Sequence, residues 1–408
     1  MESDCRGHEP AGPFVALDLL VLSGDSSTVF SSWTEALHLP PVRATRAGGW
    51  TSWYRHYTKI SEAIILENLD SFRERSTSLD YFQIDDGYQQ AIGDWLDIKP
   101  DFPNGMRPLA KAIGEAGYQA GIWLAPTVAA RRSKQLNDHP RWCDRLPNGR
   151  PVKAGYNPMW GGWFYAFDGQ HPGWRDYIQE VLHQFTDEWG FDLLKLDFLY
   201  AASIFPKPQM TRAQRMREVL EFIRRAVPDT MLLGCGVPLA SGFGLFDYCR
   251  IGADIHLDWE HRLLEWFRHR ERVSTQIALR TVIGRWPLNN RVWRNDPDVY
   301  LLRDEDIQLS RPERECVFRL TSLLGDLQFT SDDPANYTDW QVEQLEWLKK
   351  IKDETVEEVI HLAPDVYGLR TTNRLFVANI GSATWRGTFQ DQHWEVPIHE
   401  IIEQPYVD

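Results

Sequence analysis

The strongest constraint in this sequence is a rhythm: short apolar runs recur along most of the chain, each followed by a longer amphipathic stretch. Gly49–Tyr54 precedes Ile60–Arg75, and Leu79–Ile84 precedes a segment ending near Ala116. Gln119–Ala125 is followed, after a long insertion, by Trp174–Trp189, and Phe191–Leu196 precedes Thr211–Val227. Thr230–Gly234 and Asp247–Ile251 come next, then a helical stretch over Leu263–Leu279. Thr281–Arg285 leads through a loop to Arg311–Leu324, and Asp326–Thr330 leads to Asp339–Lys350. Eight strand-like runs alternating with helices imply a parallel sheet. Eight such units over about 300 residues fit a (β/α)8 barrel with long insertions. A doubly wound sheet is the rival, but no GxGxxG follows the first strand and no P-loop pattern occurs.

From about Thr355 the texture changes. Glu358–His361, Asp365–Leu369, Leu375–Ile380, Thr388–Gln390 and Trp394–Ile402 read as short strands separated by turns, a small antiparallel β-domain. The expected organisation is an α/β chain in three parts. Residues 1–45 form a short extension with a strand or two near Val15–Leu22. Residues 46–354 form the (β/α)8 barrel, and 355–408 the C-terminal β-domain.

Composition narrows the function. With 58 acidic against 44 basic residues and a net charge of -14, the chain is a poor ligand for phosphate backbones, so nucleic acid is not an expected partner. No apolar run approaches the roughly 20 residues of a membrane span. Phe14–Leu22 is short, contains Asp18 and follows an acidic start, which disfavours a secretory signal. The five cysteines (Cys5, Cys143, Cys235, Cys249, Cys316) are scattered, odd in number and never in a CxxC pair. They read as thiols of a reducing, cytoplasmic compartment.

In such a barrel the chemistry sits at the C-terminal ends of the strands. Carboxylates end four of the eight runs: Asp85-Asp86 after the second, Asp197 after the fourth, Asp254 after the sixth and Asp332-Asp333 after the eighth. A single strand-end Asp is usually a cap or turn former. Four together, with Lys195 two residues from Asp197, favour a site. Lys195 and Asp197 project to the same side of an extended strand, so the ammonium is expected to hold that carboxylate ionised, as a nucleophile or base. A structural ion pair is the plain alternative. A second carboxylate completes a glycosidase pair, about 5–5.5 Å away in a retaining enzyme and about 6.5–9.5 Å in an inverting one. Asp254 is the preferred acid and Asp258 its rival, with Trp259 placed to desolvate either.

Asp85 and Asp86 alternate in direction if extended, which makes them a poor bidentate metal pair. The histidines show no HExxH or HxH pattern; His139, His171 and His256 are isolated. The aromatics gain a role: 18 Trp exceed 14 Tyr, and indole rings suit the apolar faces of sugars. Trp53, Trp95, Trp123, Trp160, Trp163 and Trp259 fall on or near strand ends, although core packing explains any one of them equally well. Trp123, within Gly121-Ile122-Trp123-Leu124-Ala125-Pro126, is the favoured site residue.

These motifs form an ordered set. Asp85-Asp86-Gly87-Tyr88, Gly93-Asp94-Trp95, Phe102-Pro103-Asn104-Gly105 and Leu109 come first. They are followed by Gly121–Pro126, Trp189-Gly190-Phe191-Asp192 and Lys195-Leu196-Asp197-Phe198. Arg250-Ile251-Gly252-Ala253-Asp254, Asn295-Asp296-Pro297-Asp298 and Ser331-Asp332 complete it. The set resembles the α-galactosidase-type glycoside hydrolases of clan GH-D, family 36 most closely, over roughly Gly48 to Asp333.

The resemblance implies a retaining double displacement at a terminal α-galactosyl residue, with no metal or organic cofactor and an α-galactoside oligosaccharide as partner. It implies Asp197 as nucleophile and Asp254 as general acid/base, with Trp259 at a spacing often seen after it. Asp85 and Asp86 would bind hydroxyls, typically O4 and O6, and Lys195 a hydroxyl beside the nucleophile. Trp123 would belong to the sugar pocket, and Cys235 and Gly236 would line it near the 2-position. Trp53 is a further candidate aromatic. The sequence departs from the family at Tyr88, where Trp is common, and holds little of the usual N-terminal β-sandwich. The insertion Thr127–His171 is a candidate lid. Same-clan alternatives are an α-N-acetylgalactosaminidase, a β-arabinopyranosidase or a galactosyl transferase, and remotely an inactive carbohydrate-binding barrel.

Overall fold

The computed structural model describes residues 9, 11–13, 15, 18–74, 79–267, 269 and 272–406. The chain divides into two compact units. One contains Thr51–Arg73 and Leu79–Cys249, the other Ser23–Trp50 and Arg250–Asp408.

In the first unit the strands Tyr81–Ile84, Gln119–Leu124, Leu193–Leu196, Met231–Gly234 and Tyr248–Arg250 pair in parallel, each with the next. Tyr81–Ile84 and Leu193–Leu196 are buried at every position, which is why they read as apolar runs rather than as alternating strands. The helices between them are one-sided. Met106–Glu115 buries Met106, Leu109, Ala110 and Ile113, a stripe at helical spacing. Arg212–Ala226 begins at a reciprocal capping box between Thr211 and Gln214. The insertion after the third strand folds as a three-stranded antiparallel sheet, with Gly162–Ala166 between Val128–Ala130 and Lys153–Asn157.

In the second unit Ala47–Thr51 and Val299–Tyr300 both pair in parallel with Leu327–Thr330. The expected seventh strand, Thr281–Arg285, is instead the end of a helix, Thr275–Arg285, capped by Ser274. Ala278, Leu279, Val282 and Ile283 are its buried stripe, so packing overrides the strand preference of Thr281-Val282-Ile283. The strand at that place in the order is Arg294–Asp296, three residues without an apolar side chain. The expected helix over Leu263–Leu279 is also corrected: it is a short helix Arg262–Trp266 followed by Thr275–Arg285.

No described residue of 15–22 lies in a strand. A helix that periodicity did not suggest, Ser26–Ala36, follows, with the Asp25 carboxylate accepting the Thr28 N–H at 3.0 Å. Cys5 falls outside the described residues.

The C-terminal strands Val356–Ala363, Val366–Thr371, Arg374–Asn379 and Glu400–Pro405 form an antiparallel sheet, joined by the hairpin Trp385–Phe389 and Gln392–Val396. Val366, Leu375, Val377, Phe389, Trp394 and Val396 form its core. The sheet is tied to the helix Asp339–Lys350 by the Trp347 indole N–H, which donates to Glu403 at 2.7 Å. Among the described residues no helix is long and apolar enough to cross a membrane.

Candidate functional site

The end of the strand Tyr81–Ile84 presents two buried carboxylates with separate surroundings. Asp85 Oδ2 accepts from Gln83 Nε2 at 2.7 Å and lies 2.8 Å from Lys195 Nζ, with both charged side chains nearly sealed from water. The Asp85 N–H donates to Ser52 Oγ at 2.9 Å, and the Asp86 N–H to Asp85 Oδ1 at 2.9 Å. Asp86 turns the other way. Its Oδ1 accepts from Gln89 Nε2 at 2.6 Å and its Oδ2 from the Trp160 indole N–H at 2.8 Å. Burial pushes the Asp86 carboxyl up to about 6; the Gln89 and Trp160 hydrogen bonds oppose this, and the Asp85 charge adds to it.

Asp197 follows the strand Leu193–Leu196, and its N–H continues the ladder to the Leu124 carbonyl at 2.9 Å. Its side chain is half-buried. Oδ2 accepts from the Trp123 indole N–H at 3.2 Å and Oδ1 from the Phe198 N–H at 2.7 Å. Phe198 itself stands at φ +53, a left-handed conformation that costs a bulky residue about 1–2 kcal/mol. The ring contacts of Phe198 with Trp160 and Phe164, at centroid distances of 4.7 and 5.5 Å, hold it there. Gly236, at φ +55, passes so close that a Cβ would stand 3.1 Å from Asp197 Oδ1. Cys235 is buried beside it and donates its N–H to the Leu196 carbonyl. Lys195, expected beside Asp197, has Asp85 as an ion-pair partner, and Asp197 is oriented by an indole and a backbone amide.

The first unit thus brings together Asp85, Asp86, Trp123, Lys195, Asp197, Cys235 and Gly236. Trp95 is fully buried, packed edge-on against Trp123 at 5.8 Å, and is a core residue. Trp53 is half-buried on the short helix Trp53–His56 and meets Tyr57 edge-on at 5.2 Å. Gln83, Gln89 and Thr51, partners of the carboxylates, were not among the expected residues, and Trp160, a candidate sugar-facing ring, is a hydrogen-bond donor to Asp86. Gln83 carried a signal, since it precedes Asp85 by two on one strand and so shares its face. Trp160 and Gln89 reach Asp86 from outside the strands, and local pattern gives no hint of either contact.

In the second unit Arg250 is the centre. Its guanidinium lies 3.0 Å from Asp296, 2.7 Å from Asp298 and 3.0 Å from Asp254. Asp296 and Asp298 are buried, whereas the Asp254 side chain is 56% exposed. Asp298 Oδ2 also accepts the Ile255 N–H at 2.7 Å, which fixes the backbone next to Asp254. The rival Asp258 is turned to its own neighbour: its carboxylate accepts the Trp259 N–H at 2.8 Å. Trp259 is buried, stacked on His399 at 4.0 Å. The expected role was to desolvate Asp254 or Asp258. Asp332 is also structural. It accepts the N–H groups of Leu302 and Arg303, the Tyr337 hydroxyl and the Arg303 guanidinium, and burial raises its carboxyl above the ordinary value.

A family model described as Melibiase matches residues 50–226. The α-galactosidase of Thermus thermophilus, solved with p-nitrophenyl α-D-galactopyranoside, is 31% identical with a TM-score of 0.74; the match covers 85% of this chain and 70% of that one. The chain belongs to the melibiase family of glycoside hydrolases. Its fold class is accordingly a (β/α)8 barrel with a small C-terminal antiparallel β-domain. Among curated melibiase-type relatives, an α-galactosidase of Geobacillus stearothermophilus is 25% identical over 213 residues. The match covers 48% of this chain and 27% of that protein, so the chain corresponds to about a quarter of the relative's length. An A type blood α-D-galactosamine galactosaminidase of Flavonifractor plautii is 27% identical over 164 residues, covering 37% of this chain and 14% of that protein.

Proposed function

We propose that this melibiase-family chain is a retaining α-galactosidase-like hydrolase that removes terminal α-galactosyl residues by double displacement. The observation that carries the reading is Asp197, a half-buried strand-end carboxylate held by Trp123 and the Phe198 amide beside the sealed Asp85–Lys195 pair. Asp197 attacks the anomeric carbon to form a covalent glycosyl-enzyme. Asp254 protonates the departing oxygen and then deprotonates the incoming water. Its exposure and its position on Arg250 suit a group that must meet both leaving group and water. Asp85, Asp86 and Lys195 bind hydroxyls of the glycone. Trp123 forms a wall of the pocket, and Cys235 and Gly236 approach its 2-position. The partner is an α-galactoside oligosaccharide; the Thermus relative has been solved with stachyose as well as with the aryl galactoside. The buried free thiols Cys143 and Cys316 support a reducing, cytoplasmic setting.

A second glycone, a galactose carrying nitrogen at the 2-position, is favoured by the galactosaminidase of Flavonifractor. A panel of aryl glycosides of α-galactose, α-N-acetylgalactosamine, β-arabinopyranose and α-glucose decides between them, with the anomer of the first product read by NMR. The expected result is fastest turnover of the α-galactoside with an α first product. Asp197→Ala should abolish that turnover, and azide should partly restore it. Full activity in Asp197→Ala, or a β first product, would defeat the reading.

A further inference from the structure

The insertion sheet has two unlike faces. On the strand Gly162–Ala166, Gly162, Phe164 and Ala166 are buried, while Trp163 is exposed and Tyr165 partly so. The Phe164 ring lies over Gly155, where a Cβ would come within 2.4 Å of it, and also packs on Trp160 and Phe198. This inner face therefore supports the residues that hold Asp86 and Asp197. The outer face carries Tyr156 directly opposite Trp163, and Lys153 opposite Tyr165. Residues paired in this way point to the same side of a sheet.

Tyr156 is 61% and Trp163 43% exposed, and their rings meet edge-on at 5.3 Å. Lys153 Nζ stands 3.9 Å from the centre of the Trp163 ring. Exposed aromatics so arranged offer apolar ring surface, with an ammonium lying over one face of Trp163 as a donor. That is the chemistry of a sugar ring, whose C–H faces stack and whose hydroxyls accept hydrogen bonds.

The face is also mounted on the candidate pocket at two points. The turn Pro158–Trp160, which joins the two strands, ends at the indole that donates to Asp86, and its Met159 is exposed. The Tyr200 hydroxyl, three residues after Asp197, donates to the Ala154 carbonyl at 2.9 Å.

We infer that Tyr156, Trp163 and Lys153 form a binding platform for the sugar units beyond the terminal one, which makes oligosaccharides of three or more units the preferred substrates. This rests on the α-galactosidase reading of the pocket. The test compares kcat/KM for stachyose with that for p-nitrophenyl α-galactoside in the wild type, Trp163→Ala, Tyr156→Ala and Trp163→Phe. The ratio of the two values should fall at least tenfold in the alanine variants, through KM for stachyose, and recover in Trp163→Phe. A ratio within twofold of the wild type overturns the platform. Electrophoresis through a gel containing galactomannan reads the platform without turnover. Retardation of the wild type should be lost in Trp163→Ala, and equal retardation overturns the proposal even if neither substrate is cleaved. If neither is cleaved but the retardation is lost, the catalytic reading fails and the platform stands. A change of mass in Trp163→Ala by sedimentation would instead make the face a contact between copies and overturn it.

Discussion

Lys195 Nζ lies 2.8 Å from Asp85 Oδ2, which follows a strand two places away in the sheet, although Asp197 is two residues along from Lys195 itself. Both members of the pair are nearly sealed from solvent. A buried pair of this kind is sensitive to losing one member, because the other is left charged in a poor solvent.

Lys195→Met should accordingly destabilise the protein by about 3–5 kcal/mol. Asp85→Asn in that background removes the stranded charge, so the double variant should melt higher than Lys195→Met alone. Chemical denaturation of the three variants checks it. A double variant that loses the sum of both single effects would show that the two side chains act independently.

Asp86 gives a pH dependence with a definite sign. In the unfolded chain it titrates near its ordinary value of 3.8; folded, burial pushes it up to about 6. Between those values the native state holds the extra proton. Unfolding free energy from this group therefore falls as pH rises from about 4 to 6, by roughly 2–3 kcal/mol in all, and is level above. Asp86→Asn has no such proton to lose. The stability of the wild type minus that of the variant should decline through this window, and a flat difference from pH 4 to 7 would refute the assignment. Trp160→Phe removes a donor to the carboxylate, so the same decline should extend to higher pH.

Gly236 is required by two things at once, its φ of +55 and its approach to Asp197. Gly236→Ala meets a left-handed backbone cost of about 1–2 kcal/mol. It also sets a methyl 3.1 Å from both Asp197 Oδ1 and the Phe198 nitrogen. The expected outcome is a folded protein whose kcat on an aryl α-galactoside falls more than its melting temperature suggests. Unchanged kcat would mean that Asp197 is not positioned through this contact.

Asp332 belongs to the set of strand-end carboxylates, yet all of its described partners are structural. Asp332→Ala takes away the carboxylate facing the buried Arg303 guanidinium and should cost about 3–5 kcal/mol. If the protein is recovered folded at low temperature, kcat/KM per folded molecule should stay close to the wild type. A specific loss of activity without loss of stability would move Asp332 into the site.

The sequence by itself determined the alternation of strands and helices, the β texture after Thr355 and the placing of Asp85, Asp86, Asp197 and Asp254 at strand ends. These follow from periodicity and from the cost of a charge beside an apolar run, both of which act over a few residues. It failed at Thr281–Arg285 because a β-branched run served equally well as a helix stripe, and at Arg294–Asp296 because three polar residues carry no period. The tertiary structure alone decided which partner each carboxylate takes. Lys195 reaches Asp85 across 110 positions, Trp160 reaches Asp86 across 74 and Trp123 reaches Asp197 across 74. Which groups meet over such separations depends on how strands align and loops return, and neither is written in local spacing. The same is true of Trp259, which sequence spacing offered to a ligand and which packing gave to His399.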